Sequence, residues 1–174
     1  MLSKKLLQEL RKQVGYELYS AHFYMAMEAY CVSKNLDGFA NFFKVQTEEE
    51  RAHARMFFDF IHRMNGEVVL DAIDKPPANF KDLLDVFTQG YKHEQFVTSR
   101  IYLLMDIATA DKEHATVSFL KWFVDEQMEE EENFQKIMKQ LELIGDNVNA
   151  LLMLDRELAQ RVFTVPAPLA TQAQ

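Results

Sequence analysis

A Glu-x-x-His spacing lies in the middle of the second long amphipathic segment, where Glu50 and His53 occupy positions of the apolar stripe. Residues three apart lie on the same face of a helix, so the carboxylate and the imidazole point to one spot. Phe43 and Phe57 flank them on this stripe, which directs that face into a core. Because an unpartnered buried carboxylate is very costly, Glu50 requires a nearby basic side chain or a metal ion.

The other three long amphipathic segments also carry polar groups on their apolar stripes. These are Glu17 on the first segment, Glu94 on the third, and Gln127 with Glu130 on the fourth. None of these stripes contains Lys or Arg, so an ion pair is a poor explanation for so many acids. The pattern instead favours a metal site, although for an isolated Glu-x-x-His a buried structural pair would be equally reasonable.

The polar positions also repeat along the chain. A shift of 77 residues maps Glu17 onto Glu94, Glu50 onto Gln127 and His53 onto Glu130. Di-iron carboxylate proteins use a Glu from each of two helices and Glu-x-x-His from the other two. Here one half departs from that pattern, since it has Gln-x-x-Glu. Carboxylates and one imidazole suit iron, and we expect one ion to be held firmly and the other weakly.

Further candidates lie beside these positions. Glu49, Glu126 and Glu129 are each one residue away from an inward position, and they are candidates for a third, more exposed iron site. A solvated helix face is the alternative interpretation. Tyr24 lies seven residues after Glu17 on the same stripe, where it is a candidate for hydrogen-bonding a ligand or donating an electron. A plain core role for Tyr24 is also open.

Glycine, proline and capping residues divide the chain into four long helices and one short helix. We expect long helices over about 3–33, 38–65, 79–110 and 112–144, with Ser3 and Asn79 as N-caps, and then a fifth helix capped by Asp146 or Asn147. The 67–79 connection reaches roughly 43 Å when extended, enough to span the bundle. The prediction is an all-α four-helix bundle with one long crossover and a short fifth helix, with residues 1–163 as one domain and 164–174 as a flexible tail.

Composition narrows the function classes. A formal net charge of -8 argues against a nucleic-acid-binding surface, and no apolar run approaches the length of a membrane span. Cys31 is the only cysteine, which rules out an intramolecular disulfide and any Cys-x-x-Cys site. With no secretory apolar core at the N-terminus, the sequence predicts a cytoplasmic protein.

These motifs resemble those of the non-haem bacterial and archaeal ferritins, over essentially residues 1–163. The matching stretches are 17–21, 49–53, Glu94 and 126–130. The resemblance implies a ferroxidase centre, a third site, and storage of ferric mineral in a hollow shell of twenty-four subunits. It assigns the first iron to Glu17, Glu50 and His53, the second to Glu50, Glu94 and Glu130 with Gln127 at the centre, and the third site to Glu49, Glu126 and Glu129 with Glu130.

The resemblance further implies that iron is the bound metal, that Fe²⁺ is oxidised by O2 or H2O2, and that no haem is bound. Arg51 stands where bacterioferritins carry their haem-ligating methionine. The alternatives that remain are a bacterioferritin-like storage protein with haem, a di-iron redox enzyme without storage, and a metal-free structural bundle.

Overall fold

The computed structural model describes residues 2–170, and every regular element within that range is a helix. The helices are α1 (Lys4–Ser33), α2 (Asp37–Arg63), α3 (Leu83–Ala110), α4 (His114–Ile144), α5 (Val148–Leu158) and α6 (Ala167–Ala170). The all-α prediction is therefore confirmed, and its boundaries hold to within one or two residues except at the start of α3. No helix in the described range is both long enough and apolar enough to cross a bilayer.

Side-chain caps explain the starts of α1, α3 and α5. Ser3 accepts a hydrogen bond from the backbone N–H of Leu6, and Asn147 accepts one from that of Ala150. The predicted cap of α3 was wrong, because Asp82 rather than Asn79 accepts from the N–H of Asp85. The Asp85 carboxylate in turn accepts from the backbone N–H of Lys81. This reciprocal pair satisfies two backbone donors, which explains why the helix starts at Leu83.

Two apolar clusters establish the direction of each long helix. One cluster combines the start of α1 and α4 with the end of α2 and α3, and includes Leu10, Phe57, Leu104 and Phe123. The other cluster combines the end of α1 and α4 with the start of α2 and α3. Therefore α2 and α3 run parallel to each other and antiparallel to α1 and α4. The connection between α2 and α3, residues 64–82, spans the length of the bundle as predicted.

The short helix α5 docks on the start of α2. The Asp155 carboxylate accepts hydrogen bonds from the backbone N–H groups of Gly38 and Phe39, at 2.9 Å and 3.0 Å. These are N–H groups that a helix start leaves unsatisfied. A Cβ at Gly38 would collide with the backbone of Asp155, so glycine is required for this close approach.

The C-terminal segment is described as far as residue 170. Residues 161–166 have no regular structure, α6 follows, and Leu169 packs against the first apolar cluster. Residues 171–174 lie outside the described range, and the flexibility of 164–174 stays a prediction.

Candidate metal centre

A buried polar layer lies between the two apolar clusters, and all four long helices contribute to it. Each of its members exposes at most 3% of its surface: Glu17, Glu50, His53, Glu94, Gln127 and Glu130. The helical periodicity that places the flanking aromatic residues in the core also directs these side chains inward. All six predicted positions are therefore buried in the same layer of the bundle.

The first half of this layer brings three metal-ligating side chains together. Glu17, Glu50 and His53 each offer a ligand atom, and these atoms lie within 4.8 Å of one another. Nδ1 of His53 is 3.5 Å from Oε2 of Glu50. Burial lowers the pKa of His53 to about 4, so at pH 7 the imidazole is neutral and this contact is not an ion pair. A neutral imidazole is the form that binds a metal.

Several buried atoms in this first half have no hydrogen-bond partner. They are Oε2 of Glu17, Oε2 of Glu50 and Nε2 of His53, although the carboxyl groups of Glu17 and Glu50 lie close enough to share a proton when no metal is bound. Native proteins satisfy nearly all buried polar atoms, so such orphans require an explanation. A divalent cation shared by the carboxylates would supply it, because oxygen atoms and imidazole nitrogen are suitable ligands for iron. The residues present therefore fit a metal ion.

The acids in the second half of the layer are more fully hydrogen-bonded. Tyr24 and the Gln127 amide both donate to the Glu94 carboxylate, the amide at 3.0 Å. The Gln46 amide donates to Oε2 of Glu130 at 2.9 Å. Glu94 and Glu130 share the layer with the first half, but each of them already has a side-chain donor.

Mutual repulsion and burial raise the pKa values of the clustered acids. Burial is the largest cause for each of them, and it raises the pKa of Glu17 to about 7 and that of Glu94 to about 8. The pKa of Glu50 lies well above its ordinary value, through burial and then the charge of Glu94. The pKa of Glu130 is also raised. The metal-free cluster therefore holds protons near pH 7, and a bound cation would displace them.

The three candidate third-site acids lie beside the layer. Glu49, Glu126 and Glu129 line an open cavity of about 440 Å³. Oε1 of Glu126 is 3.8 Å from Nε2 of His53, so this cavity adjoins the first half of the layer. Burial raises the pKa of Glu49 to about 8 and that of Glu126 to about 7, whereas Glu129 is exposed.

Sequence reasoning did not find two residues at this site. Gln13 is fully buried and donates to Oε1 of Glu17 at 3.0 Å. Its position one turn before Glu17 on the same face was a usable signal. Arg161 pairs with Glu49 at 2.8 Å and lies in the irregular segment after α5, where periodicity gives no signal. The stripes themselves carry no basic residue, but this cation reaches the site from outside them.

A four-helix bundle that buries carboxylates from every helix around one imidazole has the architecture of the di-iron carboxylate class. Comparisons with known proteins agree with this class. Residues 7–144 match the ferritin family, described as the ferritin-like domain. The "Bacterial non-heme ferritin" of Staphylococcus epidermidis is 44% identical over 163 residues, covering 94% of this chain and 98% of that protein. The Staphylococcus aureus protein of the same name is also 44% identical, with the same coverage.

Solved structures give the same result. A "Humanized Archaeal ferritin" superposes with a TM-score of 0.93 at 41% identity, covering 94% of this chain and 99% of that one. A "novel open pore ferritin" from Archaeoglobus fulgidus has a TM-score of 0.92 at 41% identity, covering 93% and 100%. The chain therefore belongs to the ferritin family.

Proposed function

We propose that this protein oxidises Fe²⁺ to Fe³⁺ at the buried polar layer and stores the ferric product inside a shell built from copies of the chain. One observation carries the proposal. Glu17, Glu50 and His53 place ligand atoms within 4.8 Å of one another in a fully buried position, in a chain of the ferritin family. Relatives named non-heme ferritin support the storage role.

Two Fe²⁺ ions are the substrate, and each half of the layer receives one. Glu17, Glu50 and His53 bind the first ion, and Glu50, Glu94 and Glu130 bind the second, with Gln127 beside it. The four carboxylates offset the charge of two divalent ions. Glu50 is the shared ligand, so it fixes the two ions at a short distance from each other and aligns them for a joint two-electron step.

The redox step balances with O2 or H2O2 as oxidant. Two Fe²⁺ release two electrons, which with two protons convert O2 to H2O2 or H2O2 to two water molecules. The raised pKa values of Glu17 and Glu94 mean that cation binding releases protons at pH 7 inside the layer. Tyr24 donates to Glu94, and we assign it the role of orienting this ligand, or of donating an electron when only one Fe²⁺ is present.

Storage requires a closed or nearly closed assembly. We propose a homo-oligomeric shell of twenty-four subunits in the cytoplasm, supported by the similarity to ferritin structures over at least 93% of the chain. Oxidised iron would leave the layer through the cavity lined by Glu49, Glu126 and Glu129. Along this route the three acids would form a third iron position.

Aerobic loading with Fe²⁺ tests the proposal. The purified protein receives Fe²⁺ in steps, and the iron retained per particle and the particle mass are measured on the same sample. Retention far beyond two or three iron ions per chain, in a large particle, is the expected result. Retention that stops at about two per chain would identify a di-iron redox enzyme without storage, and no retained iron would leave only a structural bundle.

A matched pair of variants links the loading to the layer. Glu50→Gln removes the shared ligand, whereas Glu48→Gln alters an exposed neighbour on the same helix that pairs with Arg51. We expect rapid loading to be lost in the first variant and unchanged in the second, with particle mass unchanged in both. Equal loading in the two variants would contradict the assignment.

A further inference from the structure

Arg161 is anchored on α2 by three separate contacts. Its backbone carbonyl accepts a hydrogen bond from the Asn41 amide at 2.9 Å. Its guanidinium lies over the Phe42 ring, 4.5 Å from the ring centre, and Nη2 donates to Oε2 of Glu49 at 2.8 Å. A planar guanidinium that both stacks on an aromatic ring and pairs with a carboxylate is held in a defined position.

This guanidinium lies in the acidic cavity that adjoins the polar layer. Among the described residues that line the cavity, Arg161 is the one cation, and it faces Glu49, Glu126 and Glu129. Its Nη1 is buried and has no hydrogen-bond partner. The side chain therefore lies in the cavity through its pairing with Glu49 and its contact with the Phe42 ring, although one of its donor atoms is unsatisfied.

A cation entering the cavity meets this charge directly. Glu49 is an expected ligand of the third position, and one of its oxygens is already paired with Arg161. A metal ion must share Glu49 with the guanidinium or displace it. Because arginine stays protonated at any physiological pH, this competition is a permanent feature of the cavity.

We propose that Arg161 competes with metal cations for Glu49 and thereby keeps the third position weak, so that iron passes through the cavity instead of being retained there. The inference rests on the proposed function, since it assumes that cations reach the cavity from the polar layer. It assigns to Arg161 a positioning role that acts through Glu49. The charge of Arg161 also acts on Glu130 of the polar layer, where it opposes the effect of burial on the pKa of that carboxyl.

Calorimetric Zn²⁺ titration of the assembled protein tests the inference without any redox chemistry. Arg161→Gln removes the charge and keeps a polar side chain of moderate size. Arg100→Gln is the matched control, because Arg100 also pairs with a glutamate, Glu9, at 2.6 Å and lies over an aromatic ring, that of Tyr16, away from the cavity. Arg161→Lys is a second variant that keeps the charge.

We expect three Zn²⁺ steps per chain, and the third should become roughly tenfold to a hundredfold tighter in Arg161→Gln, since a nearby unit charge in a partly buried position is weakly screened. The third step should be unchanged in Arg100→Gln and within about threefold of wild type in Arg161→Lys. An unchanged or weaker third step in Arg161→Gln, or an equal gain in Arg161→Lys, would overturn the inference.

The same titration separates this inference from the proposed function. The first two steps report the polar layer, and their absence from the wild-type protein would contradict the proposed function. Normal first and second steps with an unaltered third step would overturn the role of Arg161 alone. In a Glu49→Gln background, Arg161→Gln should give no more than a twofold gain, and an undiminished gain would show that Glu49 is not the point of competition.

Discussion

The two halves of the buried polar layer differ in how their ligand atoms are satisfied. In the first half, Oε1 of Glu17 accepts from Gln13, but Oε2 of Glu17, Oε2 of Glu50 and Nε2 of His53 have no hydrogen-bond partner. In the second half, Glu94 accepts from Tyr24 and Gln127, and Glu130 accepts from Gln46. A cation that enters the first half satisfies orphaned atoms, whereas one that enters the second must compete with existing hydrogen bonds. Hydrogen bonds to charged groups contribute about 1.5–3 kcal/mol, so the second half should bind more weakly.

This difference has a functional consequence. A ferritin must bind Fe²⁺ firmly enough to bring two ions together, yet it must also release the oxidised product. Under the proposed function, a layer with one firm half and one weak half would meet both requirements, because the weakly held second ion would set when oxidation occurs and where release begins.

Removal of the shared ligand should have the largest effect. Glu50→Gln weakens both halves at once, so we expect the initial rate of aerobic Fe²⁺ oxidation to fall by about 100-fold or more. Loss of an outer-shell partner alone typically costs 10–100-fold. Stopped-flow measurement of ferric absorbance checks this, with Glu48→Gln as the control. An oxidation rate within twofold of wild type would contradict the assignment of Glu50 as the shared metal ligand.

Removing a metal ligand from one half of the polar layer at a time should affect the two Zn²⁺ binding steps separately. His53→Ala should abolish the firm Zn²⁺ step, whereas Glu130→Ala should weaken only the second step and leave the first within about threefold. Zn²⁺ bound per chain at equilibrium dialysis measures both. Equal losses at both steps in both variants would mean that the halves are not distinct.

The converging residues of the layer could be predicted from the sequence because helical periodicity fixes the face of each side chain. Glu17, Glu50 and Glu94 lie between large apolar residues of their stripes, and the structure buries them as this pattern requires. Arg161 could not be predicted, because an irregular segment carries it and only tertiary contacts bring it to Glu49. The start of α3 was misplaced for a related reason, since Asn79 and Asp82 are both good caps and the reciprocal contact of Asp85 decides between them.

Deletion of a competing hydrogen bond should make the second half resemble the first. Gln46→Leu has a similar volume and removes the amide that donates to Glu130. We expect the second Zn²⁺ step to tighten by about tenfold, because one charge-assisted hydrogen bond no longer needs to be replaced. A weaker second step would show that Gln46 orients Glu130 for the metal instead of competing with it.

The stability of the metal-free protein should depend on pH in the direction set by the raised pKa values. A carboxyl with a raised folded-state pKa stabilises the fold below its unfolded pKa, and that stability is lost as pH rises through the folded value. For Glu17, Glu94 and Glu126 those values are about 7 or 8. His53 and His93, whose pKa values burial lowers to about 4, oppose this trend only below about pH 7, where the unfolded imidazoles still bind protons.

Between pH 6.5 and 8.5 the unfolding temperature should therefore fall, by about 2–4 °C for each kcal/mol of stability lost. Differential scanning calorimetry of the metal-free protein measures this. Saturating Zn²⁺ should remove the trend, because a bound cation compensates the ionised carboxylates. A flat or rising unfolding temperature without metal would contradict the protonation state assigned to the layer.

Calorimetry tests most directly whether the two halves of the polar layer differ in metal affinity. The wild-type protein is titrated with Zn²⁺, a redox-inert divalent ion. We expect two Zn²⁺ steps per chain at the polar layer, the first at least about tenfold tighter than the second, with protons released in both at pH 7. Two steps of equal affinity, or no binding at all, would contradict the account of the buried layer as a two-ion centre with a firm and a weak half.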